Sequence, residues 1–139
     1  MILLDTDTVS QLHRGHPTVL ARVRAATDMA AITIISYVEL LRGRWEFLLK
    51  AADGEQLQRA QQWLTWTQEQ LASFPLVPIN AAAAAEFDRL RQDKKLKRTG
   101  RADLLIAAIA LANRATLVSR NLRDFQKVPG LHVENWADD

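Results

Sequence analysis

Apolar residues recur along the chain in two alternating kinds of segment. Short aliphatic or β-branched runs read as strands: Ile2–Leu4, Ile32–Ile35, Leu76–Ile79, Thr116–Ser119 and Leu131–Val133. Longer stretches with helical spacing lie between them. Val9–His13 and Val19–Ala26 read as helices broken at Gly15–Pro17, and Tyr37–Lys50 and Glu55–Ser73 as helices separated by Asp53-Gly54. Asn80 is a good N-cap for a helix over Ala81–Asp93; Ala102–Asn113 reads as a very apolar helix and Leu122–Phe125 as a helical turn. Pro78 marks Leu76–Ile79 as an edge strand, because proline cannot donate to a ladder. Strands alternating with helices argue for a three-layer α/β/α sandwich with a short central parallel sheet. No repeat or linker divides the chain, so residues 1–139 are expected to form a single domain.

The helical stripes separate core from surface. Leu57, Ala60, Leu64, Thr67 and Leu71 share one face of Glu55–Ser73; Trp63 borders that face, and Trp66 projects roughly opposite, as a partner surface or as chance exposure. In Tyr37–Lys50, Val38, Leu41, Trp45 and Leu48 make one apolar face, and Leu40 and Phe47 another. A helix apolar on two sides is expected between its own core and a second chain or subunit.

Carboxylates follow several of these strands. Asp5 ends the first apolar run, where open α/β sheets place their ligands, with Asp7 two residues on. Glu39 follows the second strand; with Ser36 it either forms a capping box or faces the same crevice as Asp5. Asp103 opens the apolar helix, either as a favourable charge at the helix start or as a rigidly held, partly desolvated ligand. Asp124 follows the fourth strand, beside Ser119 and Asn121. Acids surrounding one crevice suit Mg²⁺ or Mn²⁺, which favour carboxylate and water oxygens. Histidine adds little: Gly15 and Pro17 break the helix that would align His13 with His16, and His132 stands alone.

Composition narrows the classes. Without cysteine there is no disulfide, zinc–thiolate site or thiol catalysis, which fits a reducing cytoplasm. No apolar run is long enough to cross a membrane, and Asp5 and Asp7 lie where a signal peptide would have its basic and apolar regions. Net charge is only +2, but Arg89, Arg91, Lys94, Lys95, Lys97, Arg98 and Arg101 crowd one segment, while Glu134, Asp138 and Asp139 close the chain. The basic segment is either a phosphate-attracting patch or a solvated loop.

Two families share parts of this pattern. Leu3-Leu-Asp-Thr-Asp-Thr-Val9 resembles the first motif of haloacid-dehalogenase-like phosphatases, which would make Asp5 a nucleophile, and Ser36 resembles their second motif. The chain lacks the Gly-Asp pair with a further acid after a late strand that this family uses for magnesium. A fuller resemblance, nearly end to end, is to PIN domains of the VapC toxin type. It rests on Leu3-Leu-Asp-Thr-Asp7, Ser36-x-x-Glu-Leu40, Gly100-x-x-Asp103-Leu-Leu-Ile-Ala-Ala108, Leu117-Val-Ser-Arg-Asn121-x-x-Asp-Phe125 and Pro129-Gly-Leu-x-Val-Glu-Asn-Trp136. This resemblance implies a Mg²⁺- or Mn²⁺-dependent endoribonuclease acting on structured RNA. Asp5 and Asp103 would bind the metal, with Glu39 and Asp124 as supporting acids and Asn121 competing with Asp124 for the fourth place. It implies a homodimer, a VapB-like antitoxin covering the acidic crevice and the grooves near Trp45 and Phe47, and promoter DNA reached through that antitoxin. The Lys94–Arg101 segment would engage the RNA backbone. A different role is as a subunit of a repressor complex with little nuclease activity. The chain departs from the family at Asp7, where asparagine is usual.

Overall fold

A computed structural model describes residues 1–138; Asp139, the last of the acidic terminal residues, lies outside the described residues. The strands are β1 (Ile2–Leu4), β2 (Ala30–Thr33), β3 (Leu76–Val77), β4 (Thr116–Val118) and β5 (His132–Glu134). The helices are α1 (Thr6–His13), α2 (Pro17–Ala25), α3 (Ile34–Leu49), α4 (Gly54–Leu71), α5 (Ala81–Arg91), α6 (Arg101–Ala112) and α7 (Leu122–Phe125), with a 3-10 turn at Lys94–Leu96. All pairings are parallel, in the order β3-β2-β1-β4-β5. The expected edge position of β3 is therefore observed.

Side-chain alternation along β1 feeds both faces of this sheet. Leu3 joins Leu117, Ile106, Ile109 and Phe125 on the face covered by α5 and α6. Ile2 and Leu4 join Ile32, Val118, Val9, Val19, Leu40 and Leu71 on the other face. The result is the three-layer α/β/α sandwich. No helix among the described residues is long and apolar enough to cross a membrane.

Capping chemistry shifts several boundaries. The second strand was expected over Ile32–Ile35 but ends at Thr33, whose side chain accepts the Ser36 N–H at 3.2 Å and starts α3. Ile34 and Ile35 are thus helical despite their β-branching, because the cap outweighs local propensity. Ser36 lies inside the helix and is not its N-cap, so the Ser36–Glu39 capping box does not form. Helix α1 begins at Thr6 and not at Val9, because Asp5 caps it by accepting the Thr8 N–H at 2.8 Å. Helix α5 stops at Arg91, short of Asp93, which caps the 3-10 turn. His16 caps α2 through Nδ1, and His132 sits beside Glu134 at 3.7 Å.

The two-sided apolarity of α3 is real, but each side is covered only in part, Leu41 packing against the core. Leu40 is buried, whereas Val38, Trp45, Phe47 and Leu49 are exposed. On α4 the Ala60, Thr67 and Leu71 part of the expected stripe is buried, while Leu57, Trp63 and Trp66 remain exposed. Trp63 packs edge-on against Phe47 and under the Arg44 guanidinium at 3.8 Å; Trp66 packs edge-on against His13.

Candidate functional site

The chain passes from β1 outward to β2 and β3, then returns to the other side of β1 as β4. The sheet's switch point therefore lies between β1 and β4, and the strands' carboxyl ends there are where open α/β sheets place their ligands. The paired register Leu4↔Val118 makes Asp5 and Ser119 the next residues off each strand. The Asp5 N–H donates to the Val118 carbonyl at 3.0 Å, and the Thr8 hydroxyl donates to the same carbonyl at 3.1 Å. These bonds pin the start of α1 against the end of β4.

Asp5 is only 6% exposed. Burial pushes its carboxyl above the usual carboxylate range; hydrogen bonds from the Ser119 hydroxyl and the Thr8 N–H oppose that rise, and Asp7 adds to it. Ser119 is fully buried, and its oxygen also accepts the Asn121 N–H at 2.9 Å. The side-chain amide of Asn121 donates to Asp124 Oδ2 at 3.1 Å, and Lys127 Nζ stands 3.8 Å from the same carboxylate. Asn121 and Asp124 are thus hydrogen-bonded to each other at the end of β4.

Glu39 reaches the crevice from α3. Thr6 Oγ1 donates to Glu39 Oε1 at 2.7 Å and lies 2.9 Å from the Ser36 hydroxyl. A threonine hydroxyl has one proton, so Ser36 supplies the donor in the second bond. The chain Ser36–Thr6–Glu39 replaces the capping box as the local constraint on Glu39. Thr6 went unnoticed in the sequence, where its only signal is its place directly after Asp5.

Asp103 sits in the first turn of α6. Burial is the main cause raising its carboxyl above the ordinary range, followed by the negative charges of Asp5, Glu39 and Asp124. All four candidate acids therefore share one electrostatic neighbourhood. Asp7 is exposed on the first turn of α1 and contributes charge nearby. Among the described residues, no three His, Asp or Glu side chains form a ready-made metal cage. The arrangement instead suits a hard cation held by one or two carboxylates and several waters, as Mg²⁺ usually is. Four acids, of which only Asp124 has a cation within ion-pair distance among the described residues, and an all-oxygen donor set fit Mg²⁺ or Mn²⁺ and do not fit a soft metal.

Comparison with known proteins agrees with this architecture. A PIN domain family model matches residues 2–131. Ribonuclease VapC2 of Haemophilus influenzae is 26% identical over 138 residues, 97% of either chain. Ribonuclease VapC2 of Rickettsia felis is 35% identical over 68 residues, 48% of this chain and 51% of that protein, so the match spans about half the length of that relative. Among solved structures, VapBC2 from Rickettsia felis bound to a DNA fragment from its promoter superposes with a TM-score of 0.78 and 27% identity, covering 98% of this chain and 99% of the matched one.

Proposed function

The chain belongs to the PIN domain family, and from that membership we propose that it is the toxin of a type II toxin–antitoxin pair: a Mg²⁺- or Mn²⁺-dependent endoribonuclease that cleaves structured RNA. The observation that carries this reading is the convergence of Asp5, Glu39, Asp124 and Asp103 at the switch point of the sheet. Relatives aligned over almost the whole chain are named ribonucleases, which supports the same chemistry.

In this reading Asp5 and Asp103 hold the cation, since they are the two acids that burial keeps desolvated. When bound, the cation supplies positive charge against the phosphodiester and makes water more acidic. Glu39, oriented through Oε1 by Thr6, keeps its other oxygen free to accept a proton from water. Asp124, held by Asn121, offers its remaining lone pairs to ordered waters. Asp5 spends one oxygen on the α1 cap and also accepts from Ser119, so it is held as a ligand and poorly free to act as a nucleophile. Family membership likewise sets the phosphatase resemblance aside.

The exposed apolar face of α3 and α4, with Trp45, Phe47 and Trp63, is where an antitoxin would lie, in a cytoplasmic homodimer of single-domain chains. The likeness to a promoter-bound complex supports a second role, repression of transcription with DNA reached through the antitoxin.

The test is cleavage of a mixed structured-RNA pool by the purified protein with Mg²⁺ or Mn²⁺, then with EDTA. Cuts that vanish on chelation are expected; cleavage indifferent to EDTA overturns the mechanism. A finer test is Thr6→Val, which removes the donor to Glu39 while leaving the shape. It is expected to lower kcat by about 10-fold, the lower end of the cost of losing an outer-shell partner, with Thr6→Ser restoring most of the rate.

A further inference from the structure

The basic segment divides into cations that are spent and cations that are free. Arg89 and Arg91 are paired within their own helix, to Glu86 and to Asp88. Arg101 lies over the Phe87 ring at 5.0 Å. Among the described residues Lys94, Lys95, Lys97 and Arg98 have no carboxylate within ion-pair distance, and of these Lys94 and Lys97 face a common groove. Both are exposed, and both are held by the 3-10 turn that buries Leu96 between them. The groove is also lined by Arg91, Asp93, Thr99 and Leu104. The one acid beside them, Asp93, is turned to the backbone, where it accepts the Lys95 N–H at 2.9 Å.

Leu104 is the residue after Asp103, so the groove and the acid cluster share the first turn of α6. The crevice itself is strongly acidic and repels a polyanion until a cation enters. A substrate strand therefore needs a second, positively charged hold close to the cut. From this juxtaposition we propose that the Lys94–Lys97 groove is a phosphate subsite, which grips the RNA backbone at a nucleotide flanking the scissile bond and so makes the enzyme require a polymeric strand. The Thr99 side chain, on the groove wall, adds a neutral hydrogen-bond donor. This proposal rests on the nuclease reading above and gives it a substrate-length requirement.

The test compares two substrates in the Mg²⁺- or Mn²⁺-loaded protein: an RNA strand cut by the wild type, and bis(p-nitrophenyl) phosphate, a diester with no flanking phosphate. Lys94→Ala/Lys97→Ala is expected to raise KM for RNA about tenfold with little change in kcat. The slope of log affinity against log salt should fall by about 1.4, at about 0.7 per lost single-strand phosphate contact. Hydrolysis of the small diester should not change, and Lys94→Arg/Lys97→Arg should retain the wild-type salt slope. Both lysines are exposed and Leu96 is untouched, so the fold is expected to survive; a matching thermal melt checks this. An unchanged salt slope, or equal losses on both substrates, overturns the subsite. Wild-type protein that hydrolyses neither substrate with metal overturns the nuclease reading itself, a distinguishable outcome.

Discussion

Asp5→Asn is expected to abolish RNA cleavage and, in the absence of metal, to make the protein more stable. The two effects share one cause. Asp5 is buried, and its ionised form is disfavoured there. When Asp5 is ionised, the native protein carries a charge that the fold resists and that a bound cation would relieve. Asparagine removes the charge yet serves as well at the α1 N-cap, because its side-chain oxygen can still accept the Thr8 N–H. Its amide is a weak ligand for a hard cation. Cleavage should drop by more than about 100-fold, beyond the usual cost of an outer-shell partner. Melting in EDTA at pH 7 should shift upward. An Asp5→Asn protein that still cuts RNA sinks the assignment of Asp5 as a metal ligand. A variant that cuts nothing but melts lower than wild type indicates damage to the cap and not loss of a ligand.

The same residue shows what could be read in the sequence. Asp5 stands out because an apolar strand stops at it, and strand ends in parallel sheets face ligands. Asp103 stands out because an otherwise apolar helix begins beside it. Those signals depend on contrast between neighbours, which a sequence displays directly. The alternation of strands and helices, the edge position of β3 and the α5 cap at Asn80 were legible for the same reason.

What was not legible depends on partners distant in the chain. Ser36-x-x-Glu39 has the spacing of a capping box, and nothing local argues against it. The competing cap, Thr33, starts the helix three residues earlier, and Glu39 then finds Thr6, thirty-three positions away. Likewise the hydrogen bond that joins Asn121 to Asp124 does not follow from their spacing alone. Of the clustered cations, only the structure distinguishes Arg89 and Arg91, already paired, from Lys94 and Lys97. The exposed face of α3 is an intermediate case. Its uncovered apolar surface was visible as a pattern, but which residues of each side the core takes, Leu40 buried and Phe47 exposed, was not.

Removing metal should give a stability profile that falls as pH rises, and adding metal should offset that fall. Asp5 and Asp103 both hold their carboxyls above the ordinary value of 3.8, mainly through burial. Between that value and the raised ones, the folded chain keeps protons that the unfolded chain has already released. Unfolding then releases protons, so stability decreases as pH increases through this window and levels once both groups are ionised. The contribution is thus fully present below the unfolded value and lost above the folded ones. The measured profile sums the contributions of every carboxylate in the chain. The diagnostic quantity is therefore the difference between wild type and Asp5→Asn/Asp103→Asn, measured by thermal or urea melts in EDTA across pH 3 to 8. The double variant should gain on wild type as pH rises. A Mg²⁺ or Mn²⁺ ion held by the ionised pair, as proposed, should stabilise the wild type increasingly over the same window, to about 2.7 kcal/mol at one hundred times its Kd. The double variant should show little of this increment. Parallel pH profiles for the two proteins in EDTA would mean that the buried acids are not under strain. An equal response to metal would place the cation elsewhere.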